Sequence, residues 1–287
     1  TIDYFMKDRA RLKEKEKIVI KIGTSSLTHD NGKINFKSFE KLASVISQMV
    51  NDGKKVLLVT SGAIAVGAGK IGLGQKPSKL SEKQALAAIG QAELIKIYEK
   101  FFADHNKISA QVLLTKDGVL NPIRRQNAKN TLNTLLSMGI VPIINENDTV
   151  STDEIEFGDN DTLSAHVAVV SEADLLVILS DIDGLFDGDP RKDANAKIIS
   201  KVGNVDDVEK YAGASNSEFA KGGMITKIAA ARLCNNAGID MVIAKGEDPA
   251  IVLDIIAGKD LGTLFVGKTE ISIKKPEESV IYKEKRG

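Results

Sequence analysis

Six short segments carry residue types that could bind and move a charged group. Lys21 stands in an otherwise apolar run, Ile18-Val-Ile-Lys-Ile22, and is followed by Gly23-Thr24-Ser25. A lysine in a buried strand is costly unless it meets an anion, and free backbone N–H groups after such a strand suit phosphate oxygens. Alone, Lys21 reads equally well as an edge lysine reaching out to water. Val56–Val59 leads into Thr60-Ser61-Gly62-Ala63, where small residues admit a ligand to the backbone and the Ser61 hydroxyl can bind a carboxylate. Ser-Gly is also ordinary turn chemistry. Ile144-Asn145-Glu146-Asn147-Asp148 and Gly158-Asp159-Asn160-Asp161 gather amides and carboxylates. A helix N-cap at Asp161 or Thr162 accounts for one of them. The rest suit the α-amino and α-carboxyl groups of an amino acid, and can orient nearby lysines. Leu179-Ser180-Asp181, with Gly184–Phe186 and Asp189-Pro190-Arg191, reads as a nucleotide-binding edge or as turns. Last, Lys221-Gly222-Gly223-Met224-Ile225-Thr226-Lys227 is expected to open a helix. Its glycine N–H groups and positive dipole end would then face an anion, with Lys227 close by. A Gly-Gly stop to a preceding helix is the competing account.

The elements that would position these groups alternate. Strands are expected at 18–22, 56–59, 108–114, 140–144, 174–179, 239–243 and near 262–266. Phe36, Phe39, Leu42, Ile46 and Met49 fall at helical spacing before Gly53. A capping box of Ser81 with Gln84 is expected to open a helix reaching about residue 104. Helices over 121–138, 161–171, 225–237 and 249–257 follow. Almost wholly apolar strands alternating with helices mean an α/β fold: an αβα sandwich around one open, mainly parallel sheet. Ligands bind such sheets beyond the carboxyl ends of the strands, where the six segments lie. Thr149–Phe157 alternates like a small exposed hairpin. Residues 1–17 read as a charged, solvated extension, 18–267 as one domain, and 268–287 as a short charged tail.

Composition narrows the function. The 287 residues suffice for a sizeable core, and 43 % hydrophobic with 27 % charged residues is ordinary for a globular chain. Lys plus Arg and Asp plus Glu balance at 39 each, which argues against a nucleic-acid binder. A single cysteine, Cys234, rules out an intrachain disulfide and reads as a buried structural thiol. The three histidines are scattered, with no zinc-ligand spacing. No apolar run approaches membrane-spanning length and no signal-peptide core is evident, so a cytoplasmic protein is expected.

Two motifs mislead. Gly67-Ala-Gly69-Lys-Ile-Gly72 matches G-x-G-x-x-G, but it begins seven residues after the strand end near Thr60 instead of in the turn itself. It reads better as a flexible loop over a ligand. Asp181–Asp187 has Leu185 at the fifth position and no closing Glu, so it is no calcium loop. No Walker A sequence is present, and bound ATP would need another cradle.

Together KIGTS at 21–25, VTSGA at 59–63, INEND at 144–148, GDND at 158–161, SD at 180–181 and GGMITK at 222–227 resemble the amino acid kinase family, in its glutamate 5-kinase branch. The likeness runs in order from about residue 17 to 267. It implies transfer of phosphate from ATP, with Mg²⁺, to the γ-carboxylate of L-glutamate, as in the first step of proline biosynthesis. By this resemblance Lys21 and Lys227 contact phosphates and Asp161 organises both lysines. Ser61, Gly62, Asn145, Asp148 and Asn160 would bind glutamate. Lys21, Gly23, Ser180, Asp181 and the run Lys221, Gly222, Gly223, Met224, Ile225, Thr226 and Lys227 would bind ATP. It also implies inhibition by proline and a homodimer or homotetramer. Three departures stand out: no RNA-modification-type (PUA) domain is expected after residue 267, Lys221 replaces the usual Thr, and Phe186 a common Tyr. The alternatives are a family kinase for aspartate or carbamate, and a non-catalytic glutamate or proline sensor.

Overall fold

In the computed structural model, which describes residues 7–29, 31–74, 77–151, 160–188, 190, 193, 195–213 and 218–268, the apolar runs pair as their patterning requires. β1 (Lys17–Ile22), β2 (Lys55–Thr60), β3 (Ser109–Leu114), β4 (Val141–Glu146), β5 (Leu175–Ser180), β6 (Lys201–Val202), β7 (Asp240–Lys245) and β8 (Thr263–Phe265) form an 8-stranded sheet in the order β3-β4-β2-β1-β5-β7-β8-β6. β1 pairs in parallel with β2 on one side and β5 on the other. The parallel ladder continues outward to β4 and β3, and to β7. β8 then runs antiparallel to β7, with β6 parallel to β8. The chain therefore builds one side of β1 first and the other side later, which puts the reversal of winding beside β1. Ligands of such sheets bind at that reversal.

Seven longer helices cover the sheet: α1 (Phe36–Asn51), α2 (Ala63–Ile71), α3 (Leu80–Ala103), α4 (Pro122–Ser137), α5 (Asp161–Ser171), α6 (Glu218–Asn236) and α7 (Ile251–Ile256). Strand side chains alternate between the faces, so β1 sorts its residues between two cores. Ile18, Ile20 and Ile22 join Phe39 and Leu42 of α1, Leu94 and Tyr98 of α3, and Val252 of α7. Val19 joins Leu132 of α4, Leu163 and Ala165 of α5, and Ile228 of α6. Lys21 shares the parity of Val19, so it points toward the face that α5 and α6 cover. Each fully buried Ile or Val contributes about 1.5–3 kcal/mol of transfer free energy, which holds both layers against the sheet.

Several expectations need correcting. Residues 7–14 are not a solvated extension. Leu12 is fully buried, and the guanidinium of Arg9 donates to the carbonyls of Leu261 at 2.7 Å, Ser200 at 2.8 Å and Gly262 at 3.0 Å. α3 begins at Leu80, one residue before the expected start, and the carboxylate that reaches back is Glu82, to the Lys79 N–H at 3.5 Å. Phe36 belongs to the apolar stripe of α1 by spacing yet is mostly exposed, because it is the first residue of the helix. β4 extends through Asn145 and Glu146, which are therefore strand residues and not part of a loop. The stretch between β5 and α6 holds the short β6, missed because two residues leave no periodicity to detect. Gly53, with φ +86°, follows α1 as its sequence position required.

The glycine run at 67–72 is not a loop. It lies in α2 and at its C-cap Gly72. A methyl group on Gly67 would sit 2.1 Å from the Leu86 carbonyl oxygen, and one on Gly90 only 1.6 Å from that of Ala63. The small residues thus let α2 and α3 pack backbone to backbone. The hairpin expected over 149–157 falls almost entirely outside the described residues, as do Gly158, Asp159, Asp189 and Arg191. Among the described residues, no helix is long and apolar enough to cross a membrane.

Candidate active site

The carboxyl ends of β1, β2, β4 and β5 lie side by side, and the polar residues there converge with the starts of α5 and α6. At the centre is Asp161, the first residue of α5 and fully buried. Its Oδ1 lies 2.9 Å from Lys21 Nζ and its Oδ2 lies 3.0 Å from Lys227 Nζ. The Thr226 hydroxyl donates to the same Oδ2 at 3.0 Å. Lys21 and Lys227 are only 3 % and 6 % exposed, so neither charge is dissipated into bulk water. A carboxylate at a helix N-terminus is favoured by the dipole, and here it also meets the ammonium groups of both lysines. Two ammonium groups gathered at one point can attract an anion.

Local structure brings the lysines in. Lys21 follows the strand alternation toward α5, and Gly23 leaves room beside it: a methyl there would lie 3.6 Å from Lys21 Nζ. Lys227 is tied to its own helix by a 3.3 Å bond to the Gly223 carbonyl. That contact corrects the reading of the glycines. α6 begins at Glu218, so Gly222 and Gly223 lie inside the helix instead of ahead of it. Their N–H groups fall within the helical hydrogen-bond pattern and are not at the open N-terminal end. Thr226, grouped by sequence with the nucleotide, is bonded to Asp161 and to the Gly223 carbonyl at 2.9 Å. Lys221, Met224 and Ile225 lie on the same helix, Ile225 exposed.

A second cluster lies next to the first. Asn160 occupies the N-cap position of α5, but its side chain does not cap. Its Nδ2 donates to the Thr60 carbonyl at 2.8 Å and to Asn145 Oδ1 at 2.7 Å. Asn145 also accepts from the Glu146 N–H at 2.9 Å and donates to Gln91 Oε1 at 2.9 Å. Ser61, Asp148 and Asn160 are all buried. Ser61 Oγ and Asn160 Oδ1 have no hydrogen-bond partner among the described residues. Buried polar atoms left unmatched are uncommon and need a reason; a polar ligand supplies one here. Gly62, with φ +100°, makes the turn from β2 into α2 in a conformation that favours glycine. Ser180 donates to Asp181 Oδ1 at 3.0 Å at the end of β5, with Asp181 exposed.

The sequence-picked residues Lys21, Asp161 and Lys227 are therefore in contact, and Ser61, Asn145, Asp148 and Asn160 lie buried at the neighbouring strand ends. Three supporting residues escaped notice: Gln91, Gln111 and Tyr98. Tyr98 is wholly buried on α3, with its hydroxyl 2.8 Å from Thr60 Oγ1, and burial raises its pKa. The one available signal for Gln91 was a polar residue directly after Gly90 in the apolar stretch Ala85–Gly90. Cys234 is buried and its thiol is pushed up to about 12 by desolvation, which removes it as a nucleophile.

Comparison with known proteins gives the family and the fold. The family model described as "Amino acid kinase family" matches residues 16–245. Glutamate 5-kinase of Clostridium perfringens is 49 % identical over 265 residues, covering 91 % of this chain and 98 % of that protein. Glutamate 5-kinase of Listeria monocytogenes is 47 % identical, with 91 % and 97 % covered. That of Caldanaerobacter subterraneus is 52 % identical, with 90 % of this chain and 70 % of the longer relative covered. In fold alone, the crystal structure of UMP kinase from Bacillus anthracis superposes with a TM-score of 0.60 at 19 % identity, covering 89 % of this chain and 97 % of that one. With the expected αβα sheet in place and most of the chain matched, this chain belongs to the amino acid kinase family.

Proposed function

We propose that this chain transfers the γ-phosphoryl group of ATP to the γ-carboxylate of L-glutamate, giving γ-glutamyl phosphate and ADP, the first step of proline biosynthesis. The observation that carries this reading is the Lys21–Asp161–Lys227 cluster beside a buried amide and hydroxyl site. The extent of identity to glutamate 5-kinases supports glutamate over aspartate or carbamate as acceptor. A free side-chain carboxylate has a pKa near 4.3, so the nucleophile arrives ionised at neutral pH and no general base is required. One carboxylate oxygen attacks the γ-phosphorus, and the bond from that phosphorus to the β,γ-bridging oxygen breaks.

The obstacle is the approach of an anion to a polyanion. Lys21 and Lys227 supply fixed positive charge where negative charge spreads in the transition state. Asp161 holds both ammonium groups in place before substrate arrives, so little reorganisation is left for the reaction. Ser61, Gly62, Asn145, Asp148 and Asn160 bind glutamate in this scheme. Gly23, Ser180, Asp181 and the residues from Lys221 to Lys227 border the nucleotide. Among the described residues no three carboxylates, imidazoles or thiols converge to hold a metal ion. In this scheme magnesium rides on ATP as part of the substrate, where it shields the phosphates.

The same reading includes a cytoplasmic enzyme, assembled as dimers or tetramers and inhibited by proline. ADP release with glutamate, with and without proline, tests activity and inhibition together, and sedimentation tests assembly. Lys21→Ala and Lys227→Ala are each expected to lower turnover by about 100-fold or more while the protein stays folded. Near-normal turnover in either variant rejects the role given to that lysine.

A further inference from the structure

Four side-chain amides form a hydrogen-bonded file from the substrate cluster to the edge strand β3. Gln91 Nε2 donates to Gln111 Oε1 at 2.9 Å, and Gln91 Oε1 accepts from Asn145 Nδ2 at 2.9 Å. Asn145 Oδ1 accepts from Asn160 Nδ2 at 2.7 Å. A carboxamide has a donor end and an acceptor end of nearly the same shape, so each link could in principle turn over. Two backbone groups forbid it. The Thr60 carbonyl can only accept, which fixes the NH₂ of Asn160 toward it. The Glu146 N–H can only donate, which fixes the oxygen of Asn145 toward it. Asn145 must then offer its NH₂ to Gln91, so position 91 has to present an acceptor.

We propose that Gln91 is a positioning residue for the amino-acid substrate: its carboxamide oxygen holds Asn145, which in turn holds Asn160 with Oδ1 as the unmatched acceptor. That oxygen is buried and has no partner among the described residues. An acceptor there fits an N–H donor of the ligand, such as an α-ammonium group, and opposes a carboxylate. The inference rests on glutamate being the acceptor substrate. Gln91 itself does not belong to the charge cluster, so its effect should fall on glutamate and leave the nucleotide alone.

The test compares Gln91→Leu, which removes the acceptor at similar size, with Gln91→Glu, which keeps an acceptor toward Asn145 and loses only the donor toward Gln111. In Q91L the KM for glutamate should rise about tenfold, equivalent to about 1.4 kcal/mol, with the KM for ATP unchanged and stability lowered only by the cost of one unmatched buried donor, about 1–3 kcal/mol. In Q91E the KM for glutamate should stay within about threefold of wild type, as expected when the retained acceptor keeps most of the bond. An unmoved glutamate KM in Q91L, equal impairment in both variants, or a joint rise of both KM values would overturn the role. Wild-type turnover measured alongside separates the two levels. Its absence with glutamate rejects the substrate reading, whereas normal wild-type turnover with an unmoved Q91L rejects only the role of Gln91.

Discussion

Lys21 and Asp161 form a 2.9 Å ion pair in which both partners are almost completely removed from water. One comes from the central strand and the other from the first position of a helix, so the pair links the sheet to the layer that covers it. Because Asp161 also holds Lys227, replacing its carboxylate affects both lysines at once. Asp161→Asn keeps the shape and removes the charge. It should lower kcat by about 100-fold or more, since mispositioned electrostatic groups forfeit that much in comparable sites. Steady-state kinetics with saturating ATP checks this, and a kcat within about threefold of wild type would contradict the organising role.

The contact between α2 and α3 leads to a second expectation. A methyl on Gly90 would meet the Ala63 carbonyl oxygen at 1.6 Å, and backbone cannot yield as a side chain can. Gly90→Ala should therefore push α2 away at a cost of about 3 kcal/mol. Ser61 and Gly62 lead directly into α2, so the KM for glutamate should rise as well. Urea unfolding and kinetics on one preparation measure both, and unchanged stability would show that the helices part freely.

Tyr98→Phe isolates one buried hydroxyl. The Thr60 hydroxyl would lose its partner on α3 but keep its 3.1 Å bond to the Ser61 carbonyl. Stability should fall by about 1 kcal/mol, with turnover within about twofold of wild type, because the substrate amides hang from the Thr60 carbonyl and not from its hydroxyl. A large loss of turnover would instead make Tyr98 part of the site.

His166, half-buried on α5, has its pKa lowered by desolvation first and then by the charges of Arg125 and Lys116. The unfolded chain then binds the proton more readily than the folded one. The stability contribution is complete above the ordinary imidazole pKa of about 6.5 and is lost as pH falls below it, through the folded value. His166→Gln should flatten that part of the stability–pH curve below about pH 6.5. A curve unchanged by the substitution would assign the loss to other groups.

Much of this arrangement was legible in the sequence because it is local. Strand runs such as Leu175–Leu179 are apolar on both faces, and Lys21 stands out against such a run. Residues that act through long-range partners left little trace. Gln91 and Tyr98 read as ordinary helix positions until α3 is laid over β2 and β4. The glycines of α2 looked like a loop because their close packing depends on Gly90, which lies in another helix. Gly222 and Gly223 looked like a helix start because glycine disfavours helix interiors, yet α6 runs through them and brings Lys227 to Asp161.

The bonds of Arg9 to Ser200, Leu261 and Gly262 bear on the order in which the domain can be completed. A ribosome releases Arg9 among the first residues and its acceptors among the last of the described chain. Until then the guanidinium has no carbonyls to satisfy it, and the far edge of the sheet has no clasp. Contacts this distant along the chain form late and slowly. Closure of the edge at β8 and β6 thus waits for residues 261 and 262, and follows emergence of the half of the sheet holding β1 to β4.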